Sequence, residues 1–253
     1  MGKKYNVHAL SRCKVSSGFA QVLVHTVKNA KRLADADVII YNGADYDSWI
    51  TPILKSNTTA KVIKVEDLVD YPKTSNFGMN PHLWFYPETF PAVAKKLTEV
   101  FSTKDSVDGS LFEKNLQNFN HKYQKVYDLV TQIKKTSANT PVTATEPVFG
   151  YMANALGLDI QGLDFQWVIM NDSEPSPQMM IKYQNLLKNK KVKVLFYNKQ
   201  VTDNVTNNIL KLAQENDIPV VGVTETMPTD TNAIDWLVST LEETQSALEK
   251  AQN

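Results

Sequence analysis

Apolar residues along this chain fall into two alternating patterns. Short β-rich runs at "ADVIIYNG" (36–43), "TAKVIKVEDL" (59–68), "PVTATE" (141–146), "KVKVLFYN" (191–198) and "IPVVGVTE" (218–225) each predict a buried strand. Between and after them, 88–101, 147–157, 176–190, 202–216 and 231–250 carry helical spacing. Strands alternating with helices of this length predict βα units and parallel sheets. One segment departs from the alternation. Phe112, Leu116, Phe119, Tyr123, Val126, Val130 and Ile133 recur in steps of four and three, a single helical stripe. At ~1.5 Å per residue the segment spans roughly 35 Å, longer than a crossover helix needs. The plain reading is a packing or coiled-coil helix. With βα units on both sides, the stripe instead predicts a backbone helix joining two α/β lobes. The expected division is an amino-terminal α/β lobe over 1–110, a linking helix over 111–136 and a carboxyl-terminal α/β lobe over 137–253.

Charge narrows the partners. The 27 basic and 27 acidic residues cancel, which argues against nucleic acid or a membrane surface held by bulk charge. Arg12 and Arg32 are the only arginines, so no arginine cluster awaits phosphate. A single cysteine, Cys13, excludes an intrachain disulfide framework and a Cys-x-x-Cys metal knuckle. Leu10-Ser11-Arg12-Cys13 has the outline of a lipoprotein cleavage box, but "GKKYNVHA" before it is not the apolar segment such a box requires. No run approaches the ~18 apolar residues of a membrane span. Nor does the chain carry G-x-S-x-G, H-E-x-x-H or a Gly-rich phosphate loop. It is expected not to be an enzyme.

Ligands of parallel α/β sheets gather beyond the carboxyl ends of the strands. There the sequence places Glu146-Pro147, opening "TATEPVFGYMANALGLDI" (143–160), and Glu225, at the end of "PVVGVTETMP" (219–228). His82 sits in "FGMNPHLWFYPET" (77–89), where Asn80-Pro81 breaks the backbone just before a helix. "NDSEPSPQMM" (171–180) opens another helix, and "KNAKRLADADVIIYNGADYDSWI" (28–50) leads through the first long strand. Each residue also has a plain reading. His82 fits a turn histidine, Glu146 a helix cap, and Glu174 a helix-start residue favoured by the macrodipole. His8 reads as a strand residue, His121 as solvated, and Trp49 and Trp84 as packing residues.

Taken together and in order, these five blocks resemble the metal-binding solute receptors of bacterial ABC importers, which take up zinc and manganese. The resemblance covers nearly everything from Thr26 onward. It implies two α/β lobes bridged by one long helix, with metal between the lobes at strand ends. It also implies a monomeric, extracytoplasmic receptor, lipid-anchored in its full-length form, that hands its metal to a membrane permease. Carried over by position, His82 matches the family's second histidine, Glu146 its third ligand and Glu225 its final carboxylate. An imidazole with two carboxylates suits Mn²⁺, Fe²⁺ or Zn²⁺ better than Cu⁺. Glutamate rather than histidine at 146 tilts the choice between Mn²⁺ and Zn²⁺ towards manganese.

The chain departs from the pattern over 11–25. The family's first histidine block, D-P-H-x-[FY]-x-P-[ST], is replaced by an island containing Cys13 and an apolar run, of the kind that two flanking frame changes produce. His25 lies about four positions downstream of the expected histidine. The family's first strand and helix are also absent before Gly2, so the amino-terminal lobe is expected to be the less stable one. Two competing functions fit the same residues. One is a degenerate member or adhesin-like surface protein that lost its metal site, which metal titration discriminates. The other is a metal-dependent hydrolase, which turnover of esters or phosphates discriminates.

Overall fold

The computed structural model describes residues 7–9, 33, 36–56, 59–73 and 75–251. The 11–25 island, with Cys13 and His25, lies outside the described residues. By contact the chain forms two compact units interleaved in sequence: residues up to Tyr71 with Pro91–Phe119, and Pro72–Phe90 with Asn120–Asn253. Each unit carries its own parallel sheet flanked by helices, as the sequence predicts.

The first unit holds three strands, β1 (Val7–Ala9), β2 (Val38–Tyr41) and β3 (Lys61–Lys64), in the order β1-β2-β3. β2 is central and buried on both faces. Ile39 packs with Leu33, Ala36 and Ile50, while its neighbour Val38 packs with Ile63 and Val100. Successive strand residues point to opposite faces, so an unbroken Val-Ile-Ile run is what a parallel strand with cover on both sides requires. The run predicted over 59–68 stops at Lys64, because Glu66 turns back. Its backbone N–H donates to the Asn42 carbonyl, and its carboxylate accepts from Ala44 N–H.

The second unit holds β4 (Pro141–Ala144), β5 (Asp159–Gln161), β6 (Val194–Asn198) and β7 (Val220–Val223) in the order β5-β4-β6-β7, all parallel. Helices Leu163–Met170, Pro177–Lys188 and Asn204–Glu215 bring Phe165, Tyr183, Leu187, Ile209 and Ala213 against Leu195. Two of these three helices are capped by side chains, Ser176 accepting from Met179 N–H and Asp203 from Thr206 N–H. Glu174 is exposed and precedes the cap. β5 and the helix after it have no counterpart among the predicted elements. β5 is three residues long, too short for a period to show, and Gly162 in the left-handed region (φ 71°) turns it straight into the helix.

The long helix runs over Gly109–Ser137, its residues up to Phe119 belonging to the first unit and those from Asn120 to the second. Every position of the predicted stripe is buried or half-buried, and His121 on the other side is exposed. Its Tyr123 hydroxyl, fully buried, donates to the Pro87 carbonyl 2.9 Å away. That bond ties 72–90 into the second unit.

Candidate metal centre

β4, β6 and β7 are neighbours in one parallel sheet, so their carboxyl ends lie side by side. Glu146 follows β4, Asn198 ends β6 and Glu225 follows β7. The buried Asn198 amide joins the two acids: Nδ2 donates to Glu146 Oε2 at 2.9 Å and to Glu225 Oε2 at 3.2 Å. Glu225 is buried and Glu146 half-buried. Ahead of Glu146, Thr145 is buried, and its Oγ1 has no hydrogen-bond partner among the described residues.

His82 belongs to the same compact unit as both glutamates. A break at Asn80-Pro81 and a short 3₁₀ turn at Leu83–Phe85 set its backbone, and the packing around it is aromatic. Phe85 lies against Phe149 and Trp236, and Trp84 meets the imidazole edge-on at 5.4 Å. Asn80, 1% exposed, anchors the segment. Its Nδ2 donates to the Pro147 carbonyl at 2.7 Å, and its own backbone carbonyl accepts from the Tyr151 hydroxyl at 3.0 Å. The first bond fixes the amide's orientation, since only the NH₂ end can face a carbonyl. Asn80 Oδ1 is therefore the atom 2.7 Å from His82 Nδ1, and it also accepts from His82 N–H at 3.0 Å. An acceptor at Nδ1 requires Nδ1 to carry the proton, which places the lone pair of the neutral ring on Nε2. Metal-binding histidines are oriented in the same way, by a hydrogen bond to the other ring nitrogen.

Gly150 makes this approach possible. A Cβ there would lie 2.9 Å from Asn80 Nδ2. The glycine in "EPVFG" thus holds the His82 segment against the Glu146-Pro147 corner.

Of the three residues singled out in the sequence, the structure joins Glu146 and Glu225 through one amide. It links His82, through Asn80, to the residue that follows Glu146. It does not close the three around one point: among the described residues no group of three or more His, Cys, Asp or Glu side chains is spaced to hold a metal ion. Asn80 and Asn198 were missed by sequence reasoning. Asn198 carried a usable signal, as the last residue of a predicted strand in a fold whose ligands gather at strand ends.

The chain thus combines two units, each built on a parallel sheet, with a pair of acids joined by one amide at the carboxyl strand ends of the second. The chain belongs to the family described as zinc-uptake complex component A, periplasmic, whose model matches residues 21–251. Among curated relatives, it is 26% identical over 206 residues to the manganese ABC transporter substrate-binding lipoprotein PsaA of Streptococcus pneumoniae, covering 76% of this chain and 65% of that one. It is 23% identical over 203 residues to the high-affinity zinc uptake system protein ZnuA of Bacillus subtilis, covering 73% and 62%. The chain thus spans somewhat less than two thirds of these relatives. Its fold matches the periplasmic zinc binding protein TroA from Treponema pallidum, with a TM-score of 0.69 at 16% identity, covering 87% of this chain and 84% of that one. It also matches the Mn-bound periplasmic metal binding protein from Candidatus Liberibacter asiaticus, with a TM-score of 0.69 at 18% identity and the same coverage.

Proposed function

We propose that this chain is the receptor of an ABC-type metal importer, capturing Mn²⁺ or Zn²⁺ as cargo for a membrane permease. It works outside the cytoplasm as a monomer, lipid-anchored in its full-length form. Family membership and relatives named for manganese and zinc transport support the reading. Among the described residues no helix is long and apolar enough to cross a membrane. The observation that carries the reading is the pair Glu146 and Glu225 on one buried amide, at the carboxyl ends of the two strands that flank β6.

In this reading His82 supplies Nε2 and the two glutamates supply oxygen. A single nitrogen with two carboxylates makes a hard site, in which manganese is at less of a disadvantage against zinc than it would be among histidines. Metal enters and leaves unchanged, so the protein has no turnover. Binding to the folded state alone stabilises it by RT ln(1 + [L]/Kd), about 2.7 kcal/mol at a hundredfold excess over Kd.

Thermal melts of chelator-treated protein with added Mn²⁺ or Zn²⁺ test this. Both metals are expected to raise the melting temperature, and the loaded protein to leave phosphate and carboxylate esters intact. Failure of both metals to shift the melt would refute the receptor reading.

A further inference from the structure

Two carboxylates brought to one place repel each other. At the end of this sheet a single neutral group serves both. Asn198 is 1% exposed, and its orientation is fixed from the other side: Oδ1 accepts from Gln200 N–H at 3.0 Å. With the oxygen committed to an N–H, both Nδ2 hydrogens point towards the acids, one to Glu146 Oε2 and one to Glu225 Oε2. Strand order puts β6 between β4 and β7, so no residue of the flanking strands can replace Asn198 without leaving its register.

We infer that Asn198 is a positioning residue for the proposed cargo site. Its amide is a neutral cross-brace that keeps Glu146 and Glu225 convergent in the metal-free protein. An arriving dication then meets an acidic pair already formed. The brace is uncharged and adds no charge to the pair it joins. A carboxylate in its place would add a negative charge to the pair, and a hydrocarbon would offer neither acid a donor. Asn198 donates to the ligands and does not itself bind metal. The inference rests on the receptor reading of this site.

Two substitutions in the full chain test it, with Mn²⁺ and Zn²⁺ as probes. Asn198→Leu keeps the branching of the side chain and removes both donors. Calorimetric titration should show Mn²⁺ bound about ten- to hundredfold more weakly than by wild type, the usual loss when a group supporting a metal ligand is removed. Asn198→Asp keeps the acceptor for Gln200 and replaces the donors with a third carboxylate. Its metal-free melting temperature should fall, and Mn²⁺ should raise it by more than it raises wild type. A purely architectural asparagine would instead lower the metal-free and loaded melts equally. That result, or unchanged Mn²⁺ affinity in Asn198→Leu, overturns the brace. If the Asn198→Leu variant fails to fold, the two melts of Asn198→Asp decide. Wild type that binds neither metal removes the receptor reading and the brace with it, whereas wild-type binding with unaltered variants removes the brace alone.

Discussion

Both sheets carry acids at their carboxyl ends, and the two ends use them differently. Beyond β2, Asp47 is 1% exposed, and its carboxylate accepts from Asn42 N–H at 2.6 Å and Gly43 N–H at 2.8 Å. Glu66 accepts from Ala44 N–H and pairs with Lys64 at 2.6 Å. These acids hold together a loop in which Gly43, Ala44 and Asp45 all have positive φ. Gly43 is needed there, since at φ 82° its Cβ would collide with Glu66 and Lys64. In the second sheet Glu146 and Glu225 share a side-chain amide instead. Two acids at a strand end are thus not a site in themselves. What distinguishes the second pair is that its shared partner is a side chain lying between them.

If the first pair is architectural, Asp47→Ala should be the most damaging of these changes. The buried Gly43 N–H and the half-buried Asn42 N–H would lose a charged acceptor, at about 3 kcal/mol. Urea denaturation should show that loss, while any metal-induced rise in melting temperature stays as in wild type. A lost metal response in this variant would erase the contrast between the two ends.

His82→Ala tests the opposite side. It should abolish the metal-dependent stabilisation, about 2.7 kcal/mol at a hundredfold excess of metal, and His121→Ala, on the exposed face of the long helix, should leave it intact. Gly150→Ala sharpens the comparison further. The added methyl crowds the Asn80 amide and should cost about 1–2 kcal/mol. Because Asn80 also orients His82, the metal-induced shift should shrink with it.

The smallest effect is expected from pH at the first sheet. Burial pushes the Glu66 carboxyl up, but the Lys64 ammonium and Ala44 N–H outweigh burial and hold it below the usual carboxylate range. A carboxyl lowered on folding stabilises above its unfolded pKa, and that stabilisation is lost as pH falls through the folded value. Glu66→Gln should therefore flatten part of the acid limb of a stability–pH curve. Asp47 runs the other way. Burial raises it despite the Gly43 and Asn42 N–H groups. Stability should fall as pH climbs from its ordinary value through the raised one, and Asp47→Asn should remove that dependence. Identical curves for all three proteins would contradict the electrostatics described for this loop.

Much of this was legible in the chain. The Val-Ile-Ile and Val-Leu-Phe runs announced parallel strands, because strands covered on both faces must be apolar at every position. The four-three stripe announced the long helix from Phe112 to Ile133, because those steps keep one face in line over many turns. Glu146 and Glu225 were legible as strand-end acids in a fold that collects ligands there. The ends of the strands were harder to see. At Glu66 a side chain from one strand end caps the loop of another, and nothing local to 59–68 shows it.

The sequence by itself determined the two sheets, the long helix and the residue types at the carboxyl ends, since periodicity and composition are local. Tertiary structure alone decided which residues share a unit. It carried 72–90 across to the second unit through Asn80, Tyr123 and Tyr151, and it set Asn198 between two glutamates 52 and 27 residues away. The order β5-β4-β6-β7 puts β6, which ends on Asn198, between the strands that those glutamates follow. Strand order is set by how helices pack over the sheet, which no single stretch of the chain encodes.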